Sequence, residues 1–175
     1  MAKYKTGDVL ESSNFGLFTI IDWRSYKSVT IQFHNTGYIK EVKSSALTKR
    51  AIKDPYARTV YGIGCLGIGG VASINGKHTR AYKTWGTMLQ RCYDDKYQSK
   101  YPTYKGCTVC DRWLCFANFD KDIKHLKGFA EWSDPVNGYG LDKDILIPNN
   151  RVYSPDACMF VSNFDNVSDS HKRRH

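Results

Sequence analysis

No stretch of this chain approaches the roughly 20 consecutive apolar residues that a membrane-spanning helix requires, so no such span is expected. Met1-Ala2-Lys3-Tyr4-Lys5 leads into Gly7-Asp8 without an apolar run. Nothing there resembles a secretory signal, and a cytoplasmic protein that meets no membrane is expected. Cys107-x-x-Cys110 is not followed by a second C-x-x-C, so standard zinc-finger spacing is absent. Gly62, Gly64 and Gly67 have the form G-x-G-x-x-G, yet no βαβ unit, immediate helix or ribose-binding acid accompanies them. Glycines that let the backbone turn tightly or pack closely are the expected reading. A base-reading helix is not identifiable either, so recognition specificity is not legible.

What the chain does have is positive charge and enough apolar residues for a real core. Its 175 residues carry a formal charge of +9, with 41% hydrophobic and 14% aromatic residues. One domain or two small ones would fit. The charge makes a polyanion the first partner to consider, although basic surfaces also serve solubility. Residues 1–70 hold ten Lys/Arg against five Asp/Glu, and residues 71–175 hold sixteen against twelve, so neither half is the sole binding face.

Residues 7–47 read as a small β module. Phe18, Ile20, Val29, Ile31 and Phe33 alternate with polar or smaller residues in two short runs. Arg24-Ser25-Tyr26-Lys27 can join the first pair, and Asn35-Thr36-Gly37 precedes a strand around Tyr38 to Val42. A compact SH3-like barrel is expected. Residues 54–78 are Gly-rich and read as an ordered connector. From Ala81 the period turns helical: Tyr82, Trp85, Met88, Leu89 and Cys92 share one face. A second helix is expected from Asp111, its N-cap, with Trp113, Phe116, Phe119, Ile123 and Leu126 at spacings of three and four. These aromatic stripes read as core.

The last third holds the chemistry-bearing constellation. Leu141 to Ile147 is β-prone but interrupted by Asp142, Lys143 and Asp144, and Pro148-Asn149-Asn150 turns the chain back through Val152-Tyr153. A hairpin is expected. Ser162 and Asp165 have the capping-box form, which places Asn166 near the start of a helix. An Asp on a strand and an Asn on a helix can converge on one hard cation, which prefers oxygen ligands and keeps waters for a phosphate.

At this point the chain resembles the small HNH, or ββα-metal, endonucleases of bacteriophages, some of them homing enzymes. The resemblance rests on ordered blocks: Tyr82-Lys83-Thr84-Trp85, Met88-Leu89-Gln90-Arg91-Cys92-Tyr93, Tyr104-Lys105-Gly106, Val109-Cys110-Asp111-Arg112-Trp113, Phe116-Ala117-Asn118-Phe119, Leu141-Asp142-Lys143-Asp144, and Tyr153-Ser154-Pro155 with Cys158. It covers residues 81–166. It implies an α+β protein with an SH3-like accessory barrel (1–60), a Gly-rich connector (61–80) and an HNH-like ββα-metal domain (81–175). It further implies a divalent-metal-dependent DNA endonuclease, with Asp142 and Asn166 holding Mg²⁺ or Mn²⁺. In a phage-encoded protein the compartment would be the host cytoplasm. The chain departs from the pattern where Lys143 stands in place of the His that activates water and Ala157 in place of the middle Asn. Lys143 would need a lowered pKa to act as base, and Asp144, expected on the Asp142 face, could orient water or add a carboxylate.

Because two signature residues are replaced, a non-enzymatic protein that uses the same fold to bind nucleic acid or a host protein is the competing expectation. RNA is a third, weaker target. Nicking, or double-strand cleavage by a dimer, would follow from one metal per subunit. Cys107, Cys110, Cys115 and Cys158 could supply a structural Zn²⁺ site, but buried thiols are the expected reading. Lys172, Arg173 and Arg174 form a basic tail that could contact phosphates or simply solubilise the terminus.

Overall fold

A computed structural model describes residues 3–164. The chain is a mixed α+β protein that divides into two compact units, Met1–Ala57 and Arg58–His175.

The first unit is an antiparallel meander in the order β1 (Val9–Ser12), β2 (Gly16–Ser25), β3 (Ser28–Phe33) and β4 (Ile39–Val42), followed by α1 (Ser44–Lys49). Strand alternation sends Phe18, Ile20, Val29, Ile31 and Phe33 to one face, each no more than 1% exposed. Burying side chains of this size contributes about 1.5–3 kcal/mol each. Leu47 of α1 and the following Ile52 complete that core. Among the described residues β4 does not pair back to β1, so the sheet is open and the expected closed barrel is not formed. The chain leaves β4 after four residues and enters α1 at once, which supplies core side chains where a closing strand would otherwise run. Asp54, 2% exposed, is fixed by Thr36 Oγ1 and by the Tyr56 amide at 2.9 Å.

The second unit is built from short pieces. Val60, just before the expected connector 61–80, and Ile63 within it pack against its core. A Cβ on Gly64 would come within 2.5 Å of Leu89 Cδ1, so this glycine permits close packing. The hairpin β5 (Ser73–Ile74) and β6 (Lys77–His78) leads into α2 (Arg80–Tyr93). Thr79 caps α2 by accepting the Tyr82 amide at 3.2 Å. The α2 face bearing Trp85, Met88, Leu89 and Cys92 is buried as its period requires. Then come α3 (Asp95–Lys100) and β7 (Thr108–Val109).

The single helix expected from Asp111 is instead a 3₁₀ turn (Asp111–Leu114), α4 (Phe116–Asp122) and a second 3₁₀ turn (Ile123–His125). The N-cap of the first turn is Cys110 rather than Asp111, and it makes no side-chain cap bond. The break falls at Cys115, which is extended (φ −97°, ψ 118°) and forms a parallel bridge with Cys65. The Cys65 amide donates to the Leu114 carbonyl and the Phe116 amide to the Cys65 carbonyl, both at 2.9 Å, and these bonds replace the helical ones. Trp113, Phe116, Phe119 and Ile123 still reach the core. α5 (Phe129–Ser133) begins after Gly128 (φ +79°), where a Cβ would meet the Phe160 carbonyl oxygen at 2.2 Å. The unit closes with β8 (Tyr139–Asp142), β9 (Val152–Tyr153) and β10 (Met159–Ser162).

Candidate functional site

The strand pairing around the constellation differs from the simple hairpin. β8 pairs antiparallel with β10, Asp142 opposite Met159 and Leu141 opposite Phe160. β9 pairs in parallel with β7, Thr108 opposite Val152 and Val109 opposite Tyr153. The strand stops at Asp142 because its Oδ1 accepts the amides of Asp144 (2.7 Å) and Ile145 (2.8 Å), turning the chain at once. Asp144 therefore lies in the turn, and strand alternation does not govern where it points. Asn150 fixes the far side of the loop: its Nδ2 donates to the carbonyls of Lys143 (2.9 Å) and Val152 (2.7 Å), and its Oδ1 accepts the Val152 amide at 3.1 Å.

Lys143 is buried to 7% exposure, and its ammonium is satisfied within this loop. Nζ donates to Asp144 Oδ1 and, at 2.9 Å, to the Asn150 carbonyl, and it stands 5.7 Å from the centre of the Tyr153 ring. A buried charge is tolerated when paired and hydrogen-bonded in this way. A base offers a lone pair, whereas here the nitrogen is a donor on both polar contacts. The arrangement makes Lys143 a clamp that holds the loop beside Asp142.

Asp142, 8% exposed, is an oxygen donor oriented by two backbone amides, which is the chemistry a hard divalent cation takes. Its intended partner Asn166 lies outside the described residues, as do Lys172, Arg173 and Arg174. Among the described residues, no group of three or more His, Cys, Asp or Glu stands ready to hold a metal. An ion that keeps most of its waters needs fewer protein ligands than that, and Asp142 fits as one of them.

The four cysteines considered for zinc are free thiols that divide among different neighbours. Cys115 hydrogen-bonds with Cys65, Cys107 lies near Cys92, and Cys110 near Cys158. Burial pushes Cys92 and Cys158 up to about 12 and Cys65 up to about 11, which favours the neutral thiol. Cys92, Cys107 and Cys158 are buried core residues, and Cys65, Cys110 and Cys115 are half-buried.

The sequence pattern did not reveal a cavity of about 180 Å³ on the flank of the Asp142 loop. It is lined by Lys83, Thr84, Thr87, Met88 and Arg91 of α2, by Gly140 and Leu141 of β8, and by Tyr153 of β9. The signal was present in the sequence, since Lys83, Thr87 and Arg91 are four residues apart and share a helix face. Only the fold shows that this face turns toward β8. In the first unit, a groove of about 460 Å³ has Lys40, Lys43, Lys49 and Lys53 on its walls, with Val42, Ala46 and Ile52 also lining it, and no acidic side chain. Among the described residues no helix is long and apolar enough to cross a membrane. No family model, curated protein or solved structure matches this chain.

Proposed function

We propose that this protein is a divalent-metal-dependent DNA endonuclease of the HNH type. The observation that carries the reading is the order of parts at its C-terminal site. β8 ends in Asp142, a clamped loop follows, and β10 pairs back on β8. That order fits the acid-bearing strand, loop and second strand of the arrangement that the resemblance implies. The fixed carboxylate of Asp142 supports it, and so do the +9 charge and the lysine-walled groove of the first unit.

Asp142, with Asn166 on the resemblance, would hold Mg²⁺ or Mn²⁺. Such an ion supplies Lewis-acid polarisation of a phosphoryl oxygen when bound. The chain's own residues do the rest by positioning. The amides of Asp144 and Ile145 orient the Asp142 carboxylate, and Lys143 holds Asp144 and the Asn150 carbonyl so that the loop keeps its shape. With Lys143 engaged as a donor, cleavage runs without the usual histidine base, which is commonly worth about 10²–10⁴ in rate. Slow cleavage is the expected consequence.

That same clamp favours a second reading, a DNA-binding protein on this scaffold that no longer cleaves. Supercoiled plasmid incubated with the protein in Mg²⁺, Mn²⁺ or EDTA separates the two. Asp142→Asn is the informative variant, because the amide oxygen can still accept both backbone N–H groups while the charge is lost. Metal-dependent nicking by wild type that disappears in Asp142→Asn supports the endonuclease. Plasmid that is retarded in a gel but left intact by wild type supports the binding protein.

A further inference from the structure

The cavity between α2 and β8 is built for an anion. Two of its walls carry cations, Lys83 and Arg91, two carry hydroxyls, Thr84 and Thr87, and no carboxylate lines it. Arg91 is held in place: its guanidinium lies over the Tyr104 ring, 5.1 Å from the centroid. Its Nε is buried without a hydrogen-bond partner among the described residues, and hydrogen bonds to Tyr153 and Tyr97 hold the rest of the guanidinium on the cavity wall. Burial works against the charge, but the neighbouring Tyr153 and Tyr104 favour it, and the guanidinium stays firmly protonated. Lys83, by contrast, is exposed at the mouth. A planar fork at the base and a flexible ammonium at the rim suit a tetrahedral oxyanion.

We propose that this cavity seats one phosphate of the DNA backbone, with Arg91 and Lys83 as positioning residues. The proposal rests on the DNA-directed reading above and adds to it the place where the strand is gripped. Leu141 lines the cavity and immediately precedes Asp142, so a phosphate seated there would register the strand against the loop. Phosphate contacts of this kind position a duplex and carry no sequence information.

The test is equilibrium binding of a fluorescent DNA duplex in EDTA, measured across a salt series. The proteins compared are wild type, Lys83→Gln, Arg91→Gln and the charge-matched control Lys96→Gln, which lies on α3 and does not line the cavity. Thermal unfolding of each variant identifies any loss of fold, and Lys83→Gln, at an exposed position, carries the test if Arg91→Gln does not fold. Removing one cation from a bound phosphate should weaken binding several-fold and reduce the slope of log K against log salt by about 0.9. The expected result is that change for Lys83→Gln and Arg91→Gln and a smaller one for Lys96→Gln. Equal effects at all three positions, or no change at Lys83 and Arg91 while wild type binds duplex, would overturn the phosphate seat and leave the DNA reading standing. Failure of wild type to bind duplex would overturn both. Inorganic phosphate at matched ionic strength is the last probe. Stabilisation by phosphate without duplex binding would mean a site for a free anion, contradicting the proposal.

Discussion

The first unit's strands are tied by one backbone ladder, whereas around the second unit's aromatic core many short strands and loops are tied by side chains that reach into the backbone. In β1 to β4 the strands run through four to ten residues, and outside two register shifts between β2 and β3 alternation decides which side chains are buried. In the second unit β7 and β9 are two residues each, and polar groups do the work of a ladder. Arg80 donates to the carbonyls of Asp134, Asn137 and Tyr139, Arg151 to those of Thr103 and Lys105, and Asn150 to those of Lys143 and Val152. The difference teaches where chemistry can sit. A regular ladder satisfies its own polar groups, whereas an irregular loop fixed by charged side chains leaves carboxylates and cations close to one another.

The largest effect should come from the second unit's aromatic core. Trp85 is fully buried and its Nε1 donates to the Trp113 carbonyl at 2.7 Å. Trp85→Ala should cost about 3–5 kcal/mol in denaturant unfolding. A loss below about 1 kcal/mol would mean that the polar braces, rather than this cluster, hold the unit.

Next comes Gly128→Ala. It combines a left-handed φ of +79° with a Cβ placed 2.2 Å from the Phe160 carbonyl oxygen, so α5 and β10 cannot both keep their positions. A destabilisation of about 2 kcal/mol or more is expected, read as a lowered unfolding midpoint. Stability near wild type would show that the approach relaxes cheaply.

Acid should act through Asp122. Hydrogen bonds from Arg112 (Nε to Oδ2, 2.6 Å) and from Trp113 Nε1 (3.0 Å) hold its carboxyl below the ordinary range, against a smaller opposing effect of burial. With the folded value depressed, the stabilisation is present above the unfolded carboxylate pKa and is lost as pH falls through the folded one. Wild type should therefore lose stability below about pH 4 more steeply than Asp122→Asn. Parallel acid titrations of the two would contradict this. Smaller still is the cap: Thr79→Ala should cost about 1 kcal/mol, since it frees the Tyr82 amide.

These comparisons also explain what could be read in advance. Phe18 to Phe33 and the α2 face were legible because their periods match the elements that bury them. The break at Cys115 was not, because its cause is Cys65, fifty positions earlier, and no local pattern records that bridge. The hairpin failed for a similar reason: Val152-Tyr153 finds β7, a partner remote in sequence. Asp142 was expected on a strand running on to Ile147, whereas the strand ends at Asp142; its role in turning the chain, and the burial of Lys143 behind it, depend on the Asn150 bonds across the loop. The Lys83 and Arg91 cavity was hidden because a polar helix face reads as solvated until β8 is set against it.

The central claim is that Asp142 is the carboxylate that holds a divalent ion. Titrating Mn²⁺ into wild type and Asp142→Asn, with free Mn²⁺ followed by its electron paramagnetic resonance signal, tests this without requiring turnover. One saturable site in wild type, lost or greatly weakened in a folded Asp142→Asn protein, is the result expected. Equal Mn²⁺ binding by both proteins would contradict it.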